Sequence, residues 1–160
     1  MAIDSAERER RRALLKAHLA AENDHDAERI MQTFSADTEM TYNGQSFSDH
    51  ESIRWAHGYF GWTAAAGAFS DLRVVVDREH FTDDEIVVEQ RLFGKHVGEF
   101  LGFPATGRTF ELRAVGFYHF DRDGKLRSER VVMNLGPLAG ELEGRRPDSQ
   151  RATASGRASR

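Results

Sequence analysis

The sequence predicts an α+β fold in which N-terminal helices pack on one face of a strongly curved antiparallel or mixed sheet. Two observations lead to this fold class. Apolar residues recur at helical spacing through the first part of the chain, and from about residue 71 onward they alternate with a period of two. Helices followed by consecutive strands are typical of an α+β layer architecture. A curved sheet half covered by helices encloses a pocket, and such pockets commonly bind small ligands.

The helical segments come first, and each begins near a residue that suits an N-cap. The first is an amphipathic helix, the second is short, and the third is rich in aromatic residues. Ile30, Met31 and Phe34 give the second helix its apolar face. The first helix is predicted over residues 6–21, with Ser5 as its N-cap. The second helix begins after Asp26, its N-cap, and the third is predicted over residues 50–60, with Ser48 or Asp49 as its N-cap.

The strands are read from alternation and from the turns between them. The first short strand ends at Asn43-Gly44, a pair that favours a tight turn. The last two strands are joined by Asp121-Arg122-Asp123-Gly124, which places glycine where a hairpin tolerates positive φ. The strands are predicted over residues 38–42, 71–81, 84–96, 108–121 and 125–134.

The composition fits one globular domain with a distinct tail. The chain has 160 residues, of which 39% are hydrophobic and 30% are charged, as is ordinary for a folded domain. Its net charge of −4 is uneven, because residues 144–160 carry +4 and the preceding residues carry −8. The tail also lacks apolar periodicity. We therefore expect a domain over residues 1–143 and a disordered basic tail over residues 144–160.

The same composition disfavours several classes of function. An acidic body offers no electrostatic footprint for nucleic acid, and no apolar run is long enough to cross a membrane. The chain has no cysteine, and its start lacks the apolar stretch of an export signal, so we expect a cytoplasmic protein. No cofactor is expected. No metal is expected either, because no His-x-x-x-His or His-Glu pair with ligand spacing stands out.

One glycine-rich segment carries the most specific pattern in the chain. LFGKHVGEFLGFPATGR, residues 92–108, places a histidine among glycines between two predicted strands, and DGKL follows at residues 123–126. This combination resembles the SnoaL-like polyketide cyclases of the NTF2-like superfamily. Residues 25–44, HDAERIMQTFSADTEMTYNG, are similar to the second helix and first strand of that family. The resemblance covers most of residues 8–142.

The resemblance implies an NTF2-like cone, a homodimer and a cofactor-free acid–base site that closes rings by intramolecular aldol chemistry. The family's aldol cyclases carry a histidine on the strand before the DGK hairpin and an aspartate on the strand after it. Phe117 and Val131 occupy those positions here, and Asn134 occupies that of a further family acid. Neither Phe117 nor Val131 can move a proton, so the usual acid–base pair is substituted.

A replacement site is predicted from strand alternation. If Phe117 faces the cavity, then Arg113 and His119 face it too, because alternate residues of a strand share a face. The same alternation turns Glu129 inward on the last strand, diagonally beside His119. We predict His119 and Glu129 as a general base and Arg113 as the group that stabilises an enolate oxygen. The alternative is that His119 is a solvated edge residue and Glu129 forms only surface ion pairs.

The opposite face of the same strand is almost wholly apolar. A monomer would have to expose such a stripe or cover it with helices. We predict that it forms the homodimer interface on the outer face of the sheet. The stripe consists of Leu112, Ala114, Tyr118 and Phe120.

Further residues are candidates for contact with a small-molecule ligand. The aromatic candidates have an alternative role in the core, and the histidine of the glycine-rich segment has one in holding the backbone bend. The predicted ligand-binding residues are Tyr42, Trp55, Tyr59, His96, Phe117, Val131 and Asn134.

Two classes of function are open from the sequence. The first is a cofactor-independent enzyme that cyclises, isomerises or dehydrates a small, largely apolar, carbonyl-bearing, polyketide-like compound. The second is a non-catalytic small-molecule-binding or dimerising protein that kept the cone and lost the acid–base pair. A buried acid–base pair in a deep cavity would favour the first, and a purely apolar cavity would favour the second. The remaining His, Glu and Arg residues favour the enzyme.

Overall fold

The computed structural model describes residues 4–65, 67–102 and 104–135. The predicted tail over residues 144–160 lies outside them. The described helices are α1 (Ser5–Asn23), α2 (Ala27–Gln32) and α3 (His50–Phe60). The described strands are β1 (Phe34–Tyr42), β2 (Gln45–Phe47), β3 (Phe69–Phe81), β4 (Glu85–His96), β5 (Thr109–Phe120) and β6 (Leu126–Met133). None of these helices is long and apolar enough to cross a membrane.

The described strands form one mixed sheet in the order β2-β1-β6-β5-β4-β3. β1 and β6 run parallel, and the other neighbouring strands run antiparallel. Register irregularities interrupt the β1–β6, β3–β4 and β5–β6 pairs, and irregularities of this kind bend and twist a sheet. α1 contacts β3, and α3 contacts β1 and β2. The predicted α+β cone is confirmed.

Each helix begins at an acidic side chain. Asp4 caps α1 by accepting a hydrogen bond from a backbone N–H of the first turn, so Ser5 is the first helical residue and not the predicted cap. Asp26 caps α2 as predicted. Asp49 caps α3 in a reciprocal capping box with Ser52. A carboxylate at this end also interacts favourably with the helix dipole.

The first strand begins earlier than predicted. Phe34 is predicted on the apolar face of α2, but that helix ends at Gln32 and Phe34 is the first residue of β1. There it pairs in parallel with Leu126 of β6. This long-range pairing outweighs the local helical pattern. Periodicity alone cannot predict such a pairing, because the two strands are distant in sequence. The prediction also lacks β2, which follows the turn at Asn43-Gly44 and pairs with the end of β1.

The two faces of β5 are the reverse of those predicted. Its even-numbered residues are buried, including Leu112, Ala114, Tyr118 and Phe120, while its odd-numbered residues are half-buried or exposed. The four apolar side chains therefore belong to the core, and the predicted dimer interface on them is wrong. The homodimer itself stays a prediction that rests on the family resemblance.

The core lies between the helices and the face of the sheet that they cover. Leu15 from α1, Ile30 from α2 and Ile53 from α3 are fully buried, as are Ile86 and Leu126 from the sheet. Polar side chains from the same elements enter this apolar layer. Burial of polar groups is costly unless they are paired, so each of them needs a partner within this layer.

Candidate active site

Four titratable side chains meet in the core between α1, α3 and β6. They are His18 and Glu22 of α1, His57 of α3 and Glu129 of β6, and none is more than 4% exposed. His18 and Glu22 lie four residues apart, which places them on one face of the helix. We refer to these four residues as the buried cluster. Charged residue types are almost never fully buried unless they are paired.

The members of the buried cluster lie close enough to share protons. His18 Nε2 is 3.4 Å from Glu129 Oε2 and 3.7 Å from Glu22 Oε1. His57 Nε2 is also 3.7 Å from Glu22 Oε1. Among the ion pairs of the described residues, those of Glu22 and Glu129 involve histidines alone. The cluster therefore contains no permanent cation to balance its two carboxyl groups.

Hydrogen bonds on the far side of each imidazole assign its tautomer. His57 Nδ1 is 2.8 Å from the carbonyl oxygen of Ile53, which can only accept, so Nδ1 carries a hydrogen. His18 Nδ1 is 2.8 Å from Thr33 Oγ1, whose own hydrogen is donated to the carbonyl of Ile30. His18 Nδ1 is therefore also a donor. Both Nε2 atoms point into the cluster, where each is available for a proton or another ligand.

The two carboxyl groups of the buried cluster have different pKa values. Burial raises the pKa of Glu22 to about 8, although His18 opposes the rise. Burial also disfavours the charged form of Glu129, but the adjacent His18 and His57 outweigh it and lower the pKa of that carboxyl. Near neutral pH, Glu129 is therefore a carboxylate, while Glu22 holds a proton.

The pKa values of the two histidines are shifted in opposite directions, and burial and the neighbouring carboxyl groups again cause the shifts. Burial disfavours the charged imidazole of His18, but the neighbouring Glu129 and Glu22 outweigh it and raise its pKa. Burial lowers the pKa of His57, which Glu129 only partly compensates. The arrangement pairs a His18 imidazolium with the Glu129 carboxylate and leaves His57 neutral beside Glu22.

An apolar cavity of about 440 Å³ leads toward the cluster. Its walls include Tyr42, Phe47, Trp55, Tyr59, Phe60 and Phe100. Trp55 and Leu101 are both more than half exposed, so they stand at its outer rim. The Trp55 and Tyr59 rings stack at an interplanar angle of 4°. The volume and the aromatic walls suit a small, largely apolar ligand.

A second, inner gap lies between the cavity and the carboxyl groups. It measures about 10 Å³, roughly the space of one water molecule, and Glu22 and Glu129 line it. Tyr42, Phe60 and Met133 line both the gap and the outer cavity. These three side chains therefore stand between the cavity and the carboxyl groups. Gln90, Tyr118 and Val131 also line the gap.

The structure separates the three residues predicted to be catalytic. Glu129 pairs across the hairpin with Tyr118, and both are buried, whereas His119 pairs with Ser128 and is turned to the opposite face. Arg113 is exposed and lines an outer groove. The prediction that His119 and Arg113 face the cavity beside Glu129 is wrong, because residue parity on β5 is opposite to the one assumed.

The residues predicted to bind a ligand, His96 apart, fall into three places. Tyr42, Trp55 and Tyr59 line the cavity, and Val131 lines the inner gap. Phe117 lies on the outer face under the Arg130 guanidinium, and Asn134 lines the outer groove, so neither faces the cavity.

His96 lies apart from the cavity in the glycine-rich segment. It is fully buried, and its Nδ1 is 3.1 Å from Thr106 Oγ1, across the bend between β4 and β5. The backbone N–H of Thr106 also donates to this ring nitrogen. These contacts fit the alternative role of holding the bend.

Sequence reasoning misses three members of the buried cluster. His18 and Glu22 have the helical i, i+4 spacing, and this was the available signal in the sequence. His57 carries no comparable signal, because it approaches the others only through the packing of α3 against α1 and β1. Of the three residues predicted to be catalytic, the buried cluster contains Glu129 alone.

The comparisons with known proteins agree with this architecture. AclR from Streptomyces galilaeus shares 24% identity with a TM-score of 0.73, covering 91% of this chain and 89% of its own. TsrD from Streptomyces laurentii shares 24% identity with a TM-score of 0.71, covering 88% and 97%. A Catenulispora acidiphila protein with a ketosteroid isomerase-like fold, in complex with trimethylamine, shares 14% identity with a TM-score of 0.67, covering 83% and 93%.

These three similarities show the fold alone. No curated protein matches the sequence significantly. The model of the SnoaL-like polyketide cyclase family matches residues 12–142, which span most of the chain and contain all four residues of the buried cluster. The chain therefore belongs to the SnoaL-like polyketide cyclase family.

Proposed function

We propose that this protein is an acid–base enzyme that acts, without an organic cofactor, on a small, largely apolar, carbonyl-bearing compound. One observation carries the proposal: the buried cluster lies behind the inner wall of an apolar cavity of about 440 Å³. Two buried carboxyl groups contribute nothing to the binding of an apolar ligand, and their desolvation opposes folding. Ring closure, isomerisation and dehydration all need proton transfer at a carbonyl compound, and this family's cyclases perform the first.

The two carboxyl groups divide the acid and base roles between them. Glu129 is ionised beside His18 and accepts a proton from the carbon next to the carbonyl group. Glu22 holds a proton because of its burial and donates a hydrogen bond to the carbonyl oxygen as negative charge develops there. Environments that push two pKa values apart commonly mark the acid and the base of an active site.

Hydrogen exchange next to a carbonyl group tests the proposal without knowledge of the natural substrate. In D₂O, the protein should catalyse exchange of α-hydrogens in at least one of a panel of apolar ketones that fit the cavity. NMR measures the loss of the α-proton signal, and heat-denatured protein provides the background rate. Ketones that bind with saturable affinity and yet exchange at the background rate would contradict the proposal.

The stacked aromatic pair at the cavity rim should affect ligand binding more than chemistry. Trp55→Ala removes a ring that is 57% exposed and contacts Tyr59 and Phe47. Loss of this aromatic contact should raise KM by about 2–13-fold, since an aromatic contact contributes about 0.5–1.5 kcal/mol beyond its area burial. The kcat for a ketone that exchanges should change much less. A loss confined to kcat would contradict the placement of Trp55 at the rim.

A further inference from the structure

We propose that His18, Glu22, His57 and Glu129 form a site for one divalent transition-metal ion, with zinc as the closest match. The four ligand atoms that these residues offer all lie within 4.8 Å of one another. Bonds of about 2.0–2.1 Å in a tetrahedral zinc site place neighbouring ligand atoms about 3.3–3.5 Å apart. The His18–Glu129 distance of 3.4 Å and the two distances of 3.7 Å to Glu22 match this spacing closely.

Unpartnered atoms aimed into the cluster provide the second observation. His18 Nε2, His57 Nε2 and Glu129 Oε2 are buried and have no hydrogen-bond partner among the described residues. Buried polar atoms in native proteins nearly always have a partner, and each orphan costs about 1–3 kcal/mol. One metal ion would accept a lone pair from all three atoms at once.

The outer contacts of both imidazoles are those of metal ligands. His57 donates through Nδ1 to the backbone carbonyl of Ile53, and His18 donates through Nδ1 to Thr33. A histidine that binds a metal usually donates its other ring N–H to a carbonyl, a carboxylate or another polar group, which holds the ring and its tautomer in place. Both Nε2 atoms are thereby directed into the cluster, and an ion that binds there displaces the proton of the His18 imidazolium.

The charge and the donor types favour a transition metal over calcium or magnesium. With neutral imidazoles, the two carboxylates give the site a formal charge of −2, which one dication neutralises. Two imidazole nitrogens suit zinc and its neighbours, whereas calcium and magnesium prefer sites made of oxygen ligands alone. The inference stands apart from the proposed reaction, which uses the metal-free cluster.

Zinc titration of the full chain, prepared without a polyhistidine tag and freed of metal with EDTA, tests the site. The wild-type protein should bind one Zn²⁺ per chain by calorimetry, and Zn²⁺ should raise its Tm. Loss of an outer-shell partner costs about 10–100-fold in metal affinity, so removal of a ligand in Glu22→Gln or His57→Gln should cost about 100-fold or more. Co²⁺ in the same site should show the strong visible absorption of tetrahedral coordination.

An exposed histidine–carboxylate pair supplies the matched control. His80 Nε2 is 2.8 Å from Glu89 Oε1, and both side chains are about half exposed. His80→Gln should leave the affinity and the stoichiometry unchanged. The inference is overturned if the wild-type protein binds Zn²⁺ no more tightly than Glu22→Gln, or if His80→Gln removes the binding. The nearly isosteric Glu22→Gln keeps the test valid should His57→Gln fail to fold.

The zinc titration and the ketone exchange test the two proposals separately. Exchange by metal-free protein in the absence of zinc binding would overturn only the metal site. Zinc binding in a protein that exchanges no ketone would overturn only the proposed reaction.

Discussion

Glu129→Gln is expected to lower the rate of α-hydrogen exchange by about 10²–10⁴-fold, the usual contribution of a positioned general base. The substitution keeps the shape of the side chain but removes the charge that faces His18 at 3.4 Å. An amide cannot accept a proton from carbon. The effect should therefore appear in kcat, while the affinity for apolar ketones changes little because the cavity walls are unaltered.

Two other variants serve as controls for this result. Glu111→Gln removes an exposed carboxylate on the outer face of β5, and His119→Ala removes a half-buried imidazole on that same face. Neither side chain lines the cavity or the inner gap, so both variants should keep the wild-type rate. If His119→Ala abolished exchange while Glu129→Gln retained it, the assignment of the base to the buried cluster would fail.

Gly61→Ala is expected to cause the largest loss of stability among single alanine substitutions at the glycines. Gly61 ends α3 at a φ of +119°, and a Cβ atom there would lie 2.1 Å from the carbonyl oxygen of Phe69. Backbone strain and overpacking each cost about 1–3 kcal/mol, so the free energy of unfolding should fall by about 2–6 kcal/mol. Urea denaturation measures the change.

Gly61→Ala should affect the buried cluster as well as the stability of the fold. The backbone N–H of Gly61 donates to the carbonyl of His57, and its own carbonyl oxygen is 3.0 Å from His25 Nδ1. Displacement of Gly61 would thus shift the end of the helix that carries a member of the buried cluster. Exchange activity should fall together with stability.

Gly44→Ala is the matched control for the steric part of the argument. Gly44 has a φ of +86°, but nothing lies within 4 Å of the position that a Cβ atom would take. Only backbone strain remains, at about 1–2 kcal/mol. Equal losses at the two positions would show that the close approach of Gly61 to Phe69 contributes nothing.

Local sequence patterns determined most of the secondary structure. The caps at Asp26 and Asp49, the change of period after α3 and the hairpin at Asp121–Gly124 depend on neighbouring residues, and the structure contains the helices and long strands that they predict. The alternation of β6 was also correct at Glu129, Val131 and Met133, which are all buried. Caps, turns and strand alternation are visible in sequence because each arises within a few residues of the chain.

Tertiary structure alone decided the faces of β5. His119 pairs with Ser128, but the next residue, Phe120, pairs with Leu126, so Arg127 is an extra residue in the β6 strand. A single extra residue inverts which side chains face the core across a hairpin. No turn pattern around Asp123–Gly124 reveals this irregularity, and the predicted site therefore included His119 and Arg113 in error.

The buried cluster depended on packing that the sequence records only in part, because His18 and Glu22 share the helical stripe of Leu15 and Leu19. A hydrophobic pattern locates the core face of α1 through residues such as Leu15 and Leu19, and it assigns polar residues to solvent. His18 and Glu22 lie on the core face nonetheless, because His57 and Glu129 arrive there from elements distant in sequence and share their burial. The chain determines its elements locally, whereas the proximity of these four groups exists only once α1, α3 and β6 are assembled.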